Sequence, residues 1–269
     1  MDERLFAYLK RINFQGVPTP DLETLVTIHR QHLFSIPYEN LDIHRGLYMP
    51  LDEDNFFNKL VTNRRGGWCY EMNGLLSRML RLIGFEVELM SATVNRRQNS
   101  EKDAADHLIL LVQLEQPCLV DVGFGNGFLD PVPLEVGAFE QHGLQFRLDY
   151  QDPYWMFDNH VHGGAGFDFT LETHPLSYFS SRCHYLQTSP ESGFVRTTVC
   201  HRFTPQSVLT LRGALLRTVT AQEVSEQTIE SGDQYRQVLG DVFDLHLDDT
   251  DQLWQHVWKR HQEWLQQVQ

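Results

Sequence analysis

Of the four cysteines in the chain, Cys69 has the surroundings of a reactive one. It follows Arg64-Arg65-Gly66-Gly67-Trp68 and opens a run in which Met72, Leu75, Leu76, Met79, Leu80 and Ile83 recur three to four residues apart. That is the period of an amphipathic helix, and Gly84 is suited to end it. The unpaired N–H groups and positive dipole end of a helix start favour a thiolate. The glycine pair before it permits close approach. A thiolate becomes a useful nucleophile when an imidazole lies within hydrogen-bond reach and a carboxylate or amide fixes the imidazole's tautomer. His107, at the head of one apolar run, and Asp121, near the end of the next, supply those two residue types. An unpartnered carboxylate inside an apolar strand is costly, so Asp121 must be paired. The chain has 13 histidines, however, and twelve others compete with His107 for the role. Cys118, Cys183 and Cys200 fall within or beside expected strands and read as core. No Cys-x-x-Cys pair occurs, and four cysteines in 269 residues are too few for a disulfide scaffold, so reduced thiols are expected.

The elements that must position these residues follow from periodicity. Thr19-Pro20-Asp21 followed by Leu22, Leu25, Val26, Ile28 and His29 predicts a capped amphipathic helix, with His29 and His32 in solvated or capping roles. A second helix is expected from Asp52 to about Val61, and the Cys69 helix is the third. From Glu86 the period changes to two, as in a strand that ends near Val94. Residues 95–106 read as a loop. His107–Leu114 and Cys118–Val122 read as strands separated by Pro117, and Gly123-Phe124-Gly125-Asn126-Gly127 as a turn. Further strands are expected at 144–150, 194–200 and 206–212. The chain should turn helical again from about Thr220, closing on the stripe Leu253, Trp254, Val257, Trp258, His261, Trp264 and Leu265 behind Asp248, Asp249 and Thr250. Helices, then strands, then helices indicate an α+β fold with segregated layers, not a doubly wound sheet.

With 22 Lys+Arg against 36 Asp+Glu the net charge is −14, which excludes a generally basic nucleic-acid or anionic-membrane surface. No stretch is long and apolar enough to span a bilayer, and the acidic N-terminus does not read as an export signal, so a cytoplasmic protein is expected. Any anionic ligand needs a local positive site of backbone N–H groups or a few arginines. Asp158, His160 and His162 are too few and too irregular a set to indicate a metal site, and no metal is expected.

Cysteine on a helix with histidine and aspartate on consecutive strands is the arrangement of papain-like proteins, although the Cys-Gly-Ser-Cys-Trp string of papain-type peptidases is absent. Arg65-Gly66-Gly67-Trp68-Cys69-Tyr70-Glu71-Met72-Asn73, together with Ser35-Ile36-Pro37-Tyr38-Glu39-Asn40-Leu41 and Val120-Asp121-Val122-Gly123-Phe124-Gly125, resembles the arylamine N-acetyltransferases of bacterial type. Tyr8-Leu9-Lys10-Arg11-Ile12 is similar to the family's opening helix, and Thr188-Ser189-Pro190-Glu191-Ser192-Gly193-Phe194 to its second-domain motif. After about residue 213 only helical character aligns.

The resemblance implies a papain-like Cys-His-Asp architecture: an N-terminal helical bundle over 1–84 carrying the nucleophile, a β-barrel-like domain over 85–190 carrying His and Asp, and an α/β lid with a C-terminal helix over 191–269. It implies that Cys69, His107 and Asp121 form the triad of a ping-pong transfer of acetyl from acetyl-CoA to arylamines, arylhydrazines or N-hydroxyarylamines, in a monomer or homodimer. Tyr38, Val94, Phe124 and Phe203 match positions lining the acceptor pocket. Many members carry Phe where Tyr38 stands here. Gly125, Asn126 and Gly127 lie beside the family's CoA cleft, with Arg96, Arg97 or Arg202 as candidates for holding the phosphates. The alternatives keep the triad and change the chemistry: an amide synthase acting on carrier-bound acyl chains, or a thiol hydrolase or transglutaminase-like enzyme. A non-catalytic interaction domain would leave Cys69 an ordinary thiol.

Overall fold

The computed structural model describes residues 2–96 and 105–268. The first third is helical: α1 (Glu3–Arg11), α2 (Leu22–Ser35), the two-residue strand β1 (Tyr38–Glu39), α3 (Leu41–His44), α4 (Glu53–Phe57), which continues into a π-helical turn at Asn58–Thr62, and α5 (Cys69–Ile83). Asp21 and Asp52 cap α2 and α4 through their carboxylates. Gly84, at φ 113°, ends α5 in the left-handed conformation that glycine alone adopts cheaply.

The strands follow: β2 (Glu86–Val94), β3 (His107–Gln113), β4 (Cys118–Val120), β5 (Val132–Pro133), β6 (Gly137–Gln141), β7 (Leu144–Gln151), β8 (Tyr154–Asp158) and β9 (Phe167–Thr173). Next come a 3₁₀ turn at Leu176–Phe179, α6 (Ser180–Thr188), α7 (Gly193–Arg196), the strands β10 (Val199–Phe203), β11 (Val208–Arg212), β12 (Leu215–Val219) and β13 (Val224–Thr228), and then α8 (Gly232–Gln237) and α9 (Thr250–Val268). The segment read as a strand over 194–200 is thus α7 followed by the start of β10. Ser192 supplies a helix cap there by accepting from Phe194 N. Helix does not resume at Thr220 either, because β13 first completes a hairpin with β12. Cys183, expected near a strand, sits on α6.

The fold is α+β. Eight antiparallel strands form one sheet in the order β5-β4-β3-β2-β9-β8-β7-β6, and five form a second in the order β1-β10-β11-β12-β13. α5 packs across β2 and β3. This is why β3 is buried at six consecutive residues instead of alternating. One apolar core joins the N-terminal helices to the larger sheet, and a second lies between the smaller sheet, α8 and α9. Strand β1 ties the two halves together. It comes from the helical third, pairs with β10 through Tyr38↔His201 and Glu39↔Cys200, and bridges Gly67 on its other side.

The contact of α4 with α5 runs over Gly74, where an added Cβ would stand 2.5 Å from the ring of fully buried Phe56. Gly74→Ala should therefore destabilise the chain by about 1–3 kcal/mol in denaturant unfolding. Gly137→Ala, where nothing lies within 4 Å of the added carbon, should change it by less than about 0.5 kcal/mol.

Candidate active site

The approach to Cys69 is held from beneath by charge. Glu39 N donates to Gly67 O (2.9 Å) and Gly67 N to Pro37 O (3.2 Å), so the glycine pair runs alongside β1. A Cβ on Gly66 would fall 2.2 Å from Pro37 O, and one on Gly67 2.8 Å from Glu71 Oε2, so neither position admits a side chain. Arg65 Nη2 pairs with Glu39 Oε1 (2.6 Å) and Asp42 Oδ1 (2.9 Å), and Lys59 Nζ with Asp42 Oδ2 (3.0 Å) and Glu71 Oε2 (2.9 Å). The same Glu71 oxygen accepts from Trp68 N (3.2 Å), capping the helix that Cys69 opens. Burial pushes the Glu71 carboxyl up to about 7, against the attraction of Lys59. Burial lowers the Lys59 pKa, but Glu71, Glu39 and Asp42 outweigh it and hold the ammonium above its ordinary range. Sequence reading missed this cluster. Its only trace was the placement of Glu39 and Glu71 in otherwise apolar surroundings.

His107 Nε2 lies 2.7 Å from Asp121 Oδ2, with both side chains buried. That bond commits Nε2 and leaves Nδ1 as the nitrogen for a partner in the cleft. Asp121 Oδ1 accepts from Asn73 Nδ2 and from Gly123 N, each at 2.8 Å. Asn73, one turn beyond Cys69 on α5, also donates to Leu108 O (2.6 Å) and accepts from Val122 N (2.9 Å). One amide therefore fixes α5 to β3, which His107 heads, and to the segment just past the end of β4, where Asp121 stands one residue beyond the expected strand's observed end. The turn after β4 is pressed against the helix start, since a Cβ at Gly123 would stand 2.6 Å from Cys69 Cα.

His29 completes the support, and it corrects the solvated or capping role expected of it. It is fully buried; its Nδ1 donates to Leu129 O (2.6 Å) and its Nε2 accepts from Asp121 N (3.3 Å). His32 is equally buried, with Nδ1 at 2.9 Å from Tyr8 OH. Burial lowers the pKa of both. A buried neutral histidine and a solvated one look alike in a sequence.

Cys69 and His107 open onto one cleft of about 850 Å³, walled also by Tyr38, Val94, Phe124, Asn126, His201 and residues of α6 and α7. Burial pushes the Cys69 thiol well above its ordinary value, with Cys183, Asp121 and Asp106 adding to the rise and a backbone hydrogen bond from Leu108 opposing it. Phe203 is not on the cleft wall. It lies two residues beyond His201 on β10, where the chain has passed into the core beside Leu144, Val208 and Val219. Of the glycine turn, Asn126 lines the cleft, while Gly125 packs on the His201 ring and Gly127 on Phe124. His160 Nε2 and Asn159 Nδ2 hold Asn126 O at 3.1 and 3.4 Å. Among the described residues no three His, Cys, Asp or Glu side chains converge as a metal site. Arg202 is turned inward, donating to Phe34 O and Val242 O, and Arg96 lies over the Tyr154 ring and donates to Thr93. Both are engaged away from the cleft. Arg97 lies outside the described residues.

A family model described as N-acetyltransferase matches residues 21–252. An arylamine N-acetyltransferase of Mycolicibacterium smegmatis is 34% identical over 255 residues, covering 91% of this chain and 93% of that protein. A crystal structure of a variant N-arylamine acetyltransferase from Mycobacterium smegmatis superposes with a TM-score of 0.88 at 32% identity, covering 96% of this chain and 98% of that one. The Mycobacterium marinum arylamine N-acetyltransferase in complex with CoA superposes with a TM-score of 0.86 at 28% identity, covering 95% of this chain and 97% of that one. Fold, site and relatives define an acyltransferase. The chain belongs to the arylamine N-acetyltransferase family.

Asn73→Ala would leave Leu108 O and Val122 N buried without partners, and should cost about 2–4 kcal/mol in chemical unfolding. The isosteric Asn73→Asp should be no better, because it sets an oxygen against Asp121 Oδ1 and Leu108 O. Near-native stability in Asn73→Asp would show that packing, not hydrogen bonding, is what the site needs.

Proposed function

We propose that the protein transfers acetyl from acetyl-CoA to arylamines, arylhydrazines or N-hydroxyarylamines through an acetyl-cysteine on Cys69. The observation that carries this reading is the His107–Asp121 hydrogen bond, fixed by Asn73 on the helix that Cys69 itself opens. His107 Nδ1 takes the proton of the Cys69 thiol, and Asp121 steadies the imidazolium and its tautomer. The thiolate attacks the thioester carbonyl. As the tetrahedral intermediate collapses, its bond to the CoA sulfur breaks and CoA leaves with the proton from His107. The acceptor nitrogen then attacks the acetyl-cysteine, His107 removes the nitrogen's proton, and Cys69 departs as the leaving group. The two thioesters are close in energy, so the first half-reaction needs little driving force. Backbone N–H groups at the start of α5 are suited to the tetrahedral oxyanion.

Tyr38, Val94 and Phe124 form the acceptor side of the cleft in this reading, and Asn126 stands on the path of the pantetheine arm. The three-part division into 1–84, 85–190 and 191–269 gives each wall of the cleft to a different part. This sequence of bond changes uses Cys69 as nucleophile, His107 as acid and base, and Asp121 to orient the imidazole, with no change of oxidation state.

CoA release from acetyl-CoA should be a single acetylation event without acceptor and continuous turnover with an arylamine or hydrazine, with an acetyl increment on the intact mass that Cys69→Ser abolishes. Release that proceeds equally fast to water, whatever amine is supplied, would sink the transfer reading. The pH dependence of iodoacetamide labelling tests the proton route. Buried beside Asp121 and Asp106, an isolated Cys69 ionises only above the ordinary thiol range, so His107→Ala should label slowly at pH 7 and gain about tenfold per pH unit through pH 9. The unaltered chain should label readily at pH 7.

A further inference from the structure

Tyr38 is held by its backbone on both sides: β1 pairs it with His201 of β10 and bridges it to Gly67, two residues before Cys69. Its side chain is only 7% exposed and lines the cleft together with Cys69 and His107. The ring leans on the His201 imidazole at 5.4 Å between centroids, and Thr210 holds that imidazole in turn, with Oγ1 2.8 Å from Nδ1. Burial first, then the charge of Arg212, pulls His201 down to about 3, so the buttress behind Tyr38 is neutral. Among the described residues nothing accepts a hydrogen bond from the Tyr38 hydroxyl. The two other buried tyrosines of the helical third are both bonded: Tyr8 OH lies 2.9 Å from His32 Nδ1, and Tyr70 OH donates to Ala105 O (2.7 Å). Leaving a buried polar group unmade costs about 1–3 kcal/mol, so an unused donor on the wall of a cleft points to an atom that the cleft receives.

We infer that the Tyr38 hydroxyl is a catalytic group that donates to the oxyanion of the tetrahedral intermediate at Cys69, beside the backbone N–H groups of α5. This rests on the Cys69 acyl-transfer reading above. When the Cys69 sulfur bonds to the acyl carbon, the carbonyl π pair moves onto oxygen. Tyr38 donates a hydrogen bond to that oxygen and keeps its own proton. On collapse the pair returns to the carbonyl and the bond from carbon to the leaving group breaks. Two features favour the acyl oxygen over a substituent of the acceptor. The bridge to Gly67 sets Tyr38 beside the loop that opens α5, and among the charges acting on the phenol that of Cys69 is the largest, so the hydroxyl's partner belongs next to the sulfur. The atom present there in both half-reactions is the acyl oxygen, whereas ring substituents differ from one acceptor to the next. The phenol is also kept a donor: burial first, then the negative charges of Cys69, Asp121, Glu71 and Glu39, hold its pKa well above the ordinary value. The same carboxylates make an oxyanion costly at this place, which is where a fixed donor has most effect.

Tyr38→Phe removes one oxygen and breaks no hydrogen bond of the fold, so it isolates the donor. In single-turnover experiments on the full chain, the variant should form the acetyl-cysteine about tenfold or more slowly, both from acetyl-CoA and from p-nitrophenyl acetate. Iodoacetamide alkylates the same sulfur without passing through an oxyanion, so its labelling rate at pH 7 should change by less than about twofold. Transfer from the acetylated variant to an aniline and to a hydrazine should slow by similar factors. Unchanged acylation, labelling that slows as much as acylation, or a loss confined to one acceptor would each overturn the assignment: the second would make Tyr38 a support for the thiolate, the third a wall of the acceptor pocket. The two esters separate this inference from the reading beneath it. If acetyl-CoA leaves Cys69 of the unaltered chain unmodified, the functional proposal fails, while p-nitrophenyl acetate still forms a tetrahedral intermediate there and decides the role of Tyr38.

Discussion

Everything at the site depends on the side chain of Asn73. Cys69 is on a helix, whereas His107 heads β3 and Asp121 lies just past the end of β4, 38 and 52 residues later, and sequence separation of that size has to be closed by a specific contact. Asn73 spends its donor on Asp121 Oδ1 and Leu108 O, and its acceptor on Val122 N. The helix is thereby fixed against β3 on one side and against the exit of β4 on the other. Gly123 permits the approach, since any side chain there would collide with the Cys69 backbone. A leucine at position 73 could pack as well but could not choose the orientation of a carboxylate. The hydrogen-bond network is what makes the geometry unique.

Much of this was legible beforehand, for physical reasons that can be named. The Cys69 helix declared itself because its apolar stripe is long and Gly84 marks its end. β2, β3 and β4 were legible because they are central, buried and bounded by turn residues. The strands between 137 and 173 were harder: β6 alternates only between partly and fully exposed residues, so its pattern carries little contrast. His29, Asn40 and Asn73 could not be singled out, because a residue that satisfies buried backbone groups has no signature apart from the fold. Asn40, for example, bonds Phe194 O, Thr197 O and Val199 N, all more than 150 residues away. Arg202 misled for a related reason. An arginine that caps carbonyls in the core and one that waits for a phosphate are the same letter.

The buried ions beneath the glycine pair raise a question of energetics. Glu39 and Glu71 are fully buried and Lys59 and Arg65 nearly so, and desolvating such groups cancels much of what their pairing returns. Stability is therefore a weak reason for the cluster. Position is a better one. Arg65 and Lys59 share Asp42, and Glu71 returns to Trp68 N, so the four residues before Cys69 are tied at both ends to α3 and to the turn after α4. The glycines that allow the chain to pass between Pro37 and Glu71 would otherwise leave it loose at the point where Cys69 must be placed.

The same cluster changes the account of how a thiolate forms. A helix start was expected to stabilise it, but the capping carboxylate of Glu71 already occupies the Trp68 N–H, and its charge opposes the positive end of the dipole. Asp121 and Asp106 work in the same direction, and Cys69 is 1% exposed, so burial keeps its proton on. The helix alone cannot then supply a nucleophile. In the proposed mechanism the thiolate exists as the partner of an imidazolium, and the Asp121 carboxylate that disfavours a lone thiolate is the one that favours that imidazolium. In that mechanism, proton transfer within the pair is the step for which Asn73, His29 and Gly123 hold the geometry.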